Sequence, residues 1–365
     1  MTANAVLCRS TVLAQEWMSR WRQKLSLPIW LLLFFPASVY AQYGSWQTLA
    51  SMPTARQGAA GGVIGGVFYI ASGCCASNTP PVPRFDVTEV YQPATDTWST
   101  MAPIPLAEYT GASGVIAGKL YVAGGQADQS HGNNIANLQV YDPASNTWAT
   151  KAPLPGSSSA QAAGVIDGKL YVAGGKDANN ITTLNLLRAY DPVSNSWSSL
   201  ASMPTPSAAL GAAVIDGLLY VVGGQASNGS IIGTLQVFNP ASNSWAVKTS
   251  MPTARYFLSS VAVDGFLYAV GGIGSTGTVL NTIERYDPLT DIWTSVPSLP
   301  TARLLTDVAA IGNILYVVGG ATATGYSNKV EALSLPFVQV IPEPASALLF
   351  LVGIAFLAPM IRKLK

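Results

Sequence analysis

The sequence predicts an all-β protein in which six copies of one four-stranded unit close into a ring. Two repeats of nearly equal period carry this prediction. Tryptophan recurs every 48 to 52 residues, at Trp46, Trp98, Trp148, Trp197, Trp245 and Trp293. Gly-Gly recurs at 124–125, 174–175, 223–224, 271–272 and 319–320, with Ser72-Gly73 in that place in the first copy. A unit of about 50 residues with four short strands is typical of the blade of a β-propeller.

The fourth unit shows the four strands most clearly. Two apolar runs, Ala208–Ile215 and Leu218–Val222, flank Asp216-Gly217. Asp-Gly between apolar runs indicates a tight hairpin, because both turn positions need a positive φ. A third strand, Thr234–Phe238, ends at Asn-Pro, since proline cannot continue a ladder, and Trp245 lies in the fourth. First strands are rich in Ala, Gly and Ser, as expected where strands crowd around an axis.

The other repeated residues have structural interpretations. We expect each tryptophan to anchor neighbouring units. We expect the tyrosine before each doublet to be half-buried in a strand, at Tyr69, Tyr121, Tyr171, Tyr220, Tyr268 and Tyr316. Gly-Gly permits a close backbone approach rather than phosphate binding, because no helix N-terminus follows it.

The phase of the repeat predicts how the ring closes. The chain begins its first unit at Trp46–Leu49, a fourth strand without the preceding three. It ends at 329–335, a third strand without a fourth. We therefore predict that the Trp46 strand completes the sixth blade, formed by 303–335, so that no sheet edge stays open at the junction.

These motifs resemble the kelch repeat. Gly-Gly is followed by Tyr-Asp-Pro (at 141–143, 190–192 and 286–288), then by Trp, and Pro-x-x-Arg leads into the next unit at 53–56, 252–255 and 300–303. The resemblance covers nearly all of 43–335 and implies a six-bladed kelch propeller, placed here at 42–335. It does not decide the activity, because kelch propellers include both enzymes and binding platforms.

Composition excludes two classes of protein. Charged residues make up 10% of the chain and hydrophobic residues 49%, which is not the composition of a disordered chain. Without the two termini, residues 42–344 carry 12 basic and 17 acidic side chains, a net charge of −5. A mildly acidic body argues against nucleic acid as a partner.

The N-terminus is predicted to be a signal peptide, residues 1–41. An apolar run at 25–40 follows a basic cluster, and Ala41 with Val39 suits signal peptidase. Met18 is an alternative start, since 19–24 is already an adequate basic region. A retained anchor is the other interpretation, although the run is short for a span.

A second targeting signal is predicted at the C-terminus, after a linker at 336–341. Pro342, Glu343 and Pro344 precede an apolar transmembrane segment at 345–361, and the chain ends with Arg362, Lys363 and Lys365. This order, at 342–365, resembles the PEP-CTERM sorting signal and implies an exosortase as partner. Positive charge stays cytoplasmic, so the propeller would lie outside, anchored at the inner membrane and then sorted to the cell surface or matrix. A plain C-terminal anchor is the alternative.

Candidate ligand-binding residues lie where each blade begins. The repeated position is occupied by Arg56, Glu108, Ser158, Ser207, Arg255 and Arg303. The three arginines fall on adjacent blades of a closed ring, and arginine suits planar carboxylates. Together with Glu108 and Asp307, and with Lys176 and Asp177 in the third loop, they predict an axial mouth for an anionic or hydroxyl-rich ligand. The alternative is that these arginines serve packing.

Candidate catalytic groups are few: Glu108, His131 and Asp307. Asp307 stands in the sixth inner strand where other blades carry Ala, Gly or Ser, and a carboxylate there needs water or a partner. His131 is the single histidine. One histidine cannot supply a copper-radical oxidase site or a His/Cys zinc site, so we expect no metal and no cofactor.

Cys74 and Cys75 are the cysteines that remain after Cys8 leaves with the signal peptide. Export permits oxidation, and adjacent cysteines can form a vicinal disulfide. Free thiols and intermolecular links are the alternatives.

The sequence is compatible with two functions. The first is a non-enzymatic, surface-sorted and monomeric binding module for extracellular polysaccharide or an envelope protein. The second is a sugar-acid epimerase or mutarotase, similar to the periplasmic six-bladed kelch sialic acid epimerases. It needs an acid–base pair beside the arginines, and Glu108, His131 and Asp307 are the candidates for that pair.

Overall fold

The structure is a computed structural model that describes residues 43–75, 84–127 and 133–336. The predicted signal peptide, His131 and the sorting signal at 342–365 lie outside these ranges. The described residues contain strands and turns but no helix. None of them therefore forms a helix that could cross a bilayer.

Six four-stranded antiparallel sheets confirm the predicted all-β, six-bladed propeller. In each blade we name the strands inner, second, third and outer. Blade 1 has Ala60–Ile64, Val67–Ala71, Thr88–Gln92 and Thr97–Met101; blade 2 has Ala112–Ile116, Lys119–Ala123, Leu138–Asp142 and Thr147–Lys151; blade 3 has Ala162–Ile166, Lys169–Ala173, Leu187–Asp191 and Ser196–Leu200. Blade 4 has Gly211–Ile215, Leu218–Val222, Leu235–Asn239 and Ser244–Lys248; blade 5 has Ser259–Val263, Phe266–Val270, Ile283–Asp287 and Ile292–Val296; blade 6 has Asp307–Ile311, Ile314–Val318, Val330–Ser334 and Trp46–Leu49.

Three two-stranded ladders of two residues each stand at the ends of blades 4, 5 and 6. They pair Ser207–Ala208 with Gln225–Ala226, Arg255–Tyr256 with Ile273–Gly274, and Ala321–Thr322 with Gly325–Tyr326.

The ring closes as the repeat phase predicts. The first strand of the chain, Trp46–Leu49, is the outer strand of blade 6 and pairs antiparallel with Val330–Ser334, with Trp46 opposite Leu333. The Trp46 indole N–H also reaches the Pro297 carbonyl of blade 5 at 3.4 Å. Strands from opposite ends of the described chain thus complete one sheet.

Tryptophan anchors each outer strand to the preceding blade, which confirms its predicted role. The indole N–H of Trp98 donates to the Ala50 carbonyl at 2.8 Å, and the indole of Trp245 donates to the Ala201 carbonyl at 2.7 Å. The same bond recurs from Trp148, Trp197 and Trp293. Apolar residues of adjacent sheets form the core between the blades.

The Gly-Gly doublets let each blade meet the next by its backbone. At Gly223 a Cβ would stand 2.7 Å from the Arg255 carbonyl oxygen of the next blade, and at Gly224 one would stand 2.6 Å from the Ala208 oxygen. The Gly224 N–H donates to that same Arg255 oxygen at 2.9 Å. Both glycines have positive φ, so no L side chain fits without strain.

A closed circle of backbone hydrogen bonds surrounds the propeller axis. Its members are Gly58, Thr110, Ala160, Ala209, Phe257 and Leu305, all with φ between 51° and 58°. Each N–H donates to the carbonyl of its counterpart in the preceding blade, at 2.7 to 3.0 Å, and the Gly58 N–H reaches Leu305. We call this circle the peptide ring. It divides the axial channel into a mouth on one side and a shaft between the inner strands on the other.

Candidate functional site

The three predicted arginines lie inside the wall of the propeller, not at its mouth. Arg56, Arg255 and Arg303 are at most 1% exposed. Each is paired with a buried glutamate on the third strand of its own blade: Glu89, Glu284 and Glu331. Burial lowers the pKa of Arg255 to about 10, with Glu284 opposing the shift, so the guanidinium stays charged at neutral pH. These pairs support packing, which was the alternative interpretation.

We call the position of these arginines the wall position, and this residue with its counterpart on the third strand the wall pair. The wall pairs differ in the other three blades. Blade 2 has Glu108 with Gln139, blade 3 has Ser158 with Arg188, and blade 4 has Ser207 with Gln236. The side-chain amide of Gln139 exchanges two hydrogen bonds with the Leu106 backbone, both at 2.9 Å. Only the three arginine blades carry a glutamate at this place on the third strand, and that pattern in the sequence could have identified the ion pairs.

The mouth is a cavity of about 420 Å³ outside the peptide ring. In each blade, a residue that follows the wall position forms a β-bridge with a residue that follows the glycine doublet: Gln57 with Cys74, Tyr109 with Gln126, Ser159 with Lys176, Ala208 with Gln225, Tyr256 with Ile273, and Leu304 with Ala321. Those of blades 2 to 4 line the cavity with Asn180, Tyr256 and Phe257.

The mouth has a polar and an apolar side. Lys176 lies on the polar side, as the sequence predicts, and its ammonium group donates to the Thr183 hydroxyl at 2.9 Å. The Arg84 guanidinium lies 4.8 Å from the centre of the Tyr109 ring. Opposite, the Tyr256 and Phe257 rings lie 4.8 Å apart. Tyr109, Tyr256 and the amides were missed from the sequence, because the loops that carry them share no residue type.

Glu108 is buried behind the channel wall between blades 1 and 2. Its Oε2 accepts the Gly111 N–H at 2.6 Å, whereas Oε1 has no partner among the described residues. Burial raises the pKa of Glu108 to about 8, and Asp307 adds to the shift while Arg84 opposes it. Glu108 is therefore largely a neutral acid at pH 7 and lines neither the mouth nor the shaft.

Asp307 lies in the shaft, on the far side of the peptide ring from the mouth. A Cβ on Gly61 of blade 1 would stand 3.1 Å from its Oδ1. Enclosure by protein raises the pKa of Asp307 to about 7, and Arg56 opposes the shift. The structure thus brings Asp307 near Glu108 electrostatically, but not to the mouth where Lys176 lies.

Cys74 and Cys75 are joined by a vicinal disulfide. Both are buried, and the Gln57 amide lies 3.8 and 3.7 Å from their sulfurs. His131 lies outside the described residues. Within those residues no three His, Cys, Asp or Glu side chains cluster as metal ligands would.

The fold and the repeated motifs define a β-propeller of kelch repeats. The chain belongs to the KLHDC2/KLHL20/DRC7 Kelch-repeats domain family, whose model matches residues 112–320. A solved structure described as that of YjhT superposes with a TM-score of 0.67 at 18% sequence identity. The match covers 77% of this chain and 95% of that one, and it supports the fold.

Proposed function

We propose that the protein is an exported, surface-sorted binding module whose mouth holds an acidic saccharide, without catalysing a reaction on it. The mouth carries this proposal: aromatic rings, side-chain amides and one ammonium group converge there on about 420 Å³ of open space. A concave site with few, well-placed polar groups is the usual form of a ligand site.

The lining suits a sugar with an acidic substituent. The amides of Gln126 and Gln225 can donate to and accept from hydroxyl groups. Aromatic faces such as Tyr256 can cover the apolar C–H face of a sugar ring. Lys176 supplies a positive charge that is only half-buried, and it can pair with a carboxylate or a sulfate. A ligand that bridges the two sides of the mouth would use all three features.

Binding without catalysis is supported by where the acids lie. Asp177 accepts the backbone N–H groups of Ile181 and Thr182 at 2.9 and 3.0 Å, so it organises its own loop. Glu108 and Asp307 lie outside the lining of the mouth cavity. General acid–base catalysis needs groups within hydrogen-bond reach of the reacting atom.

The alternative function is a sugar-acid epimerase or mutarotase. One observation favours it: Glu108 and Asp307 have pKa values raised to about 8 and about 7 by burial, and groups that titrate near neutrality concentrate at catalytic sites. Their substrate would have to reach the shaft rather than the mouth.

The first test is a glycan array and calorimetric titration on the full-length chain in detergent, with acidic and neutral saccharides. We expect acidic saccharides to bind and Lys176→Gln to weaken them by at least about tenfold, because it removes the one ammonium of the mouth. Lys151→Gln, on an exposed outer strand, is the matched control. Equal affinity for Lys176→Gln and the native chain would overturn the mouth as the site.

Anomer exchange followed by NMR on the same ligands separates the two functions. Acceleration that is lost in Asp307→Asn or Glu108→Gln would establish the enzymatic alternative. Binding without acceleration supports the binding module.

A further inference from the structure

The shaft is a second cavity, separate from the mouth. It encloses about 220 Å³ between the six inner strands and is lined by three consecutive residues from most of them, among them Gly111–Ser113, Gln161–Ala163 and Leu258–Ser260. These side chains are mostly small, so the lining exposes backbone and hydroxyl oxygen. Asp307 is its one ionisable group.

Among the described residues, the Asp307 carboxylate forms no salt bridge. Arg56 is the cation that acts on it, and the Arg56 guanidinium already binds Glu89, Ser72 O and Val87 O. The Asp307 charge in turn raises the pKa of Glu108, the other acid near it. No described side chain donates a hydrogen bond to the Asp307 carboxylate. When this group ionises, a half-buried negative charge faces an open polar space, which is costly without a partner.

Oxygen atoms surround the space that this charge faces. The Ser113 hydroxyl lies in the lining and donates to the Gly61 carbonyl at 2.9 Å. The Ser259 and Thr306 hydroxyls of blades 5 and 6 lie 3.3 Å apart. The Ser260 hydroxyl is buried and has no partner among the described residues. Such a lining offers hydroxyl and carbonyl lone pairs to a ligand that needs acceptors.

We propose that the shaft binds a small monovalent cation, such as an alkali ion or ammonium, against the Asp307 carboxylate and the surrounding oxygens. A single carboxylate matches a single positive charge. Divalent cations such as Ca²⁺ prefer several carboxylate ligands. The site differs from the saccharide mouth in position and in sign of charge, and it does not depend on the proposed function.

The proposal predicts a cation-specific and pH-dependent stability. The full-length chain would be unfolded thermally at pH 8.5 in chloride salts of sodium, potassium, ammonium and tetramethylammonium at equal ionic strength. Tetramethylammonium cannot donate hydrogen bonds or accept close oxygen ligands. We expect at least one of the small cations to raise the midpoint by about 2–4 °C over tetramethylammonium, as binding at about ten times its Kd would.

Protonation of Asp307 should abolish the difference, so it should vanish at pH 5. It should also vanish in Asp307→Asn and in Asp307→Ala, which places in blade 6 the residue that blades 1 to 3 carry. Asp264→Asn, in a hairpin turn outside the lining, should keep the difference. A native chain that unfolds equally in all four salts, or a difference that persists in Asp307→Ala, would overturn the proposal. Broadening of the ²³Na resonance by the folded native chain, lost in Asp307→Ala, provides a readout independent of stability.

Discussion

Blades 1, 5 and 6 differ from blades 2, 3 and 4 at one position of the wall. The first three carry arginine and glutamate as buried ion pairs, whereas blades 2 and 4 carry a glutamine whose amide bonds the backbone of the crossover loop. Gln236 of blade 4 accepts from the Thr205 N–H at 2.8 Å. Blade 3 instead has Arg188 beside the Ser158 hydroxyl, so one fold tolerates several solutions to the same packing problem.

The comparison shows that the residue at the wall position and its partner on the third strand vary together. A buried ion pair is not more stabilising than a well-packed neutral one, but half of a pair is costly. Substitutions at this position are therefore informative only when both partners are considered.

The largest effect is expected from breaking a pair. Glu331→Gln would leave the Arg303 guanidinium buried without its countercharge, and we expect a loss of about 3–5 kcal/mol in the free energy of unfolding. Urea denaturation measures it. Gln236→Ala in blade 4 is the control and should cost about 1 kcal/mol. Equal losses from the two variants would show that the charge is irrelevant to the wall.

Blade 2 tests what a wall carboxylate does without arginine. Because the pKa of Glu108 is raised to about 8, the folded state holds a proton that the unfolded state releases. Stability should therefore fall as pH rises from about 4.5 to about 8, by at most about 5 kcal/mol. Glu108→Gln should reduce this decline in a series of denaturation curves, and the part that remains is expected from Asp307, whose pKa is also raised. Asp142→Asn, an exposed control, should leave the same pH window unchanged.

The glycine doublets should behave alike whether they contact the wall residue of an arginine blade or that of another blade. Gly223→Ala would press a Cβ against the Arg255 carbonyl, and Gly174→Ala would do so against that of Ser207. We expect each to cost about 2–3 kcal/mol, through the positive φ and the contact together. Gly217→Ala, also at positive φ but in open space, should cost about 1 kcal/mol by calorimetry. A much smaller cost for Gly174→Ala than for Gly223→Ala would mean that the close backbone approach at the doublet depends on the wall pair.

The smallest effect is expected from converting one solution into the other. Arg255→Ser combined with Glu284→Gln gives blade 5 the residues of blade 4. The double variant should lie within about 1 kcal/mol of the native chain, although Arg255→Ser alone strands a buried carboxylate and should cost more. A double-mutant cycle measures the coupling. Additive losses would contradict the pairwise interpretation.

The sequence was sufficient for the fold because its signals are local and repeated six times. Asp216-Gly217 forms the predicted hairpin with φ of 49° and 72°, and Trp46 completes blade 6. The site was harder to predict. The three arginines were placed at the mouth because their spacing fixes the blade but not the direction of the side chain. Lys176 lies in the lining of the mouth cavity.

Most of the mouth lining and the peptide ring could not be predicted from the sequence for another reason. Tyr109, Gln126 and Tyr256 meet only after non-adjacent loops converge, and no repeated residue type marks them. The ring consists of backbone groups, carried by residues as different as Gly58, Thr110 and Phe257. A feature made of main-chain bonds leaves no pattern of side chains to read.

The peptide ring also bears on how such a chain can evolve. Its circuit closes only if six successive blades each supply one donor and one acceptor in register. Open solenoids gain or lose a repeat by recombination at modest cost, because each repeat contacts only its neighbours. Here an extra or missing copy would change the circumference and break the circuit at the axis. We therefore expect this lineage to vary by substitution within its loops and to conserve the number of its repeats.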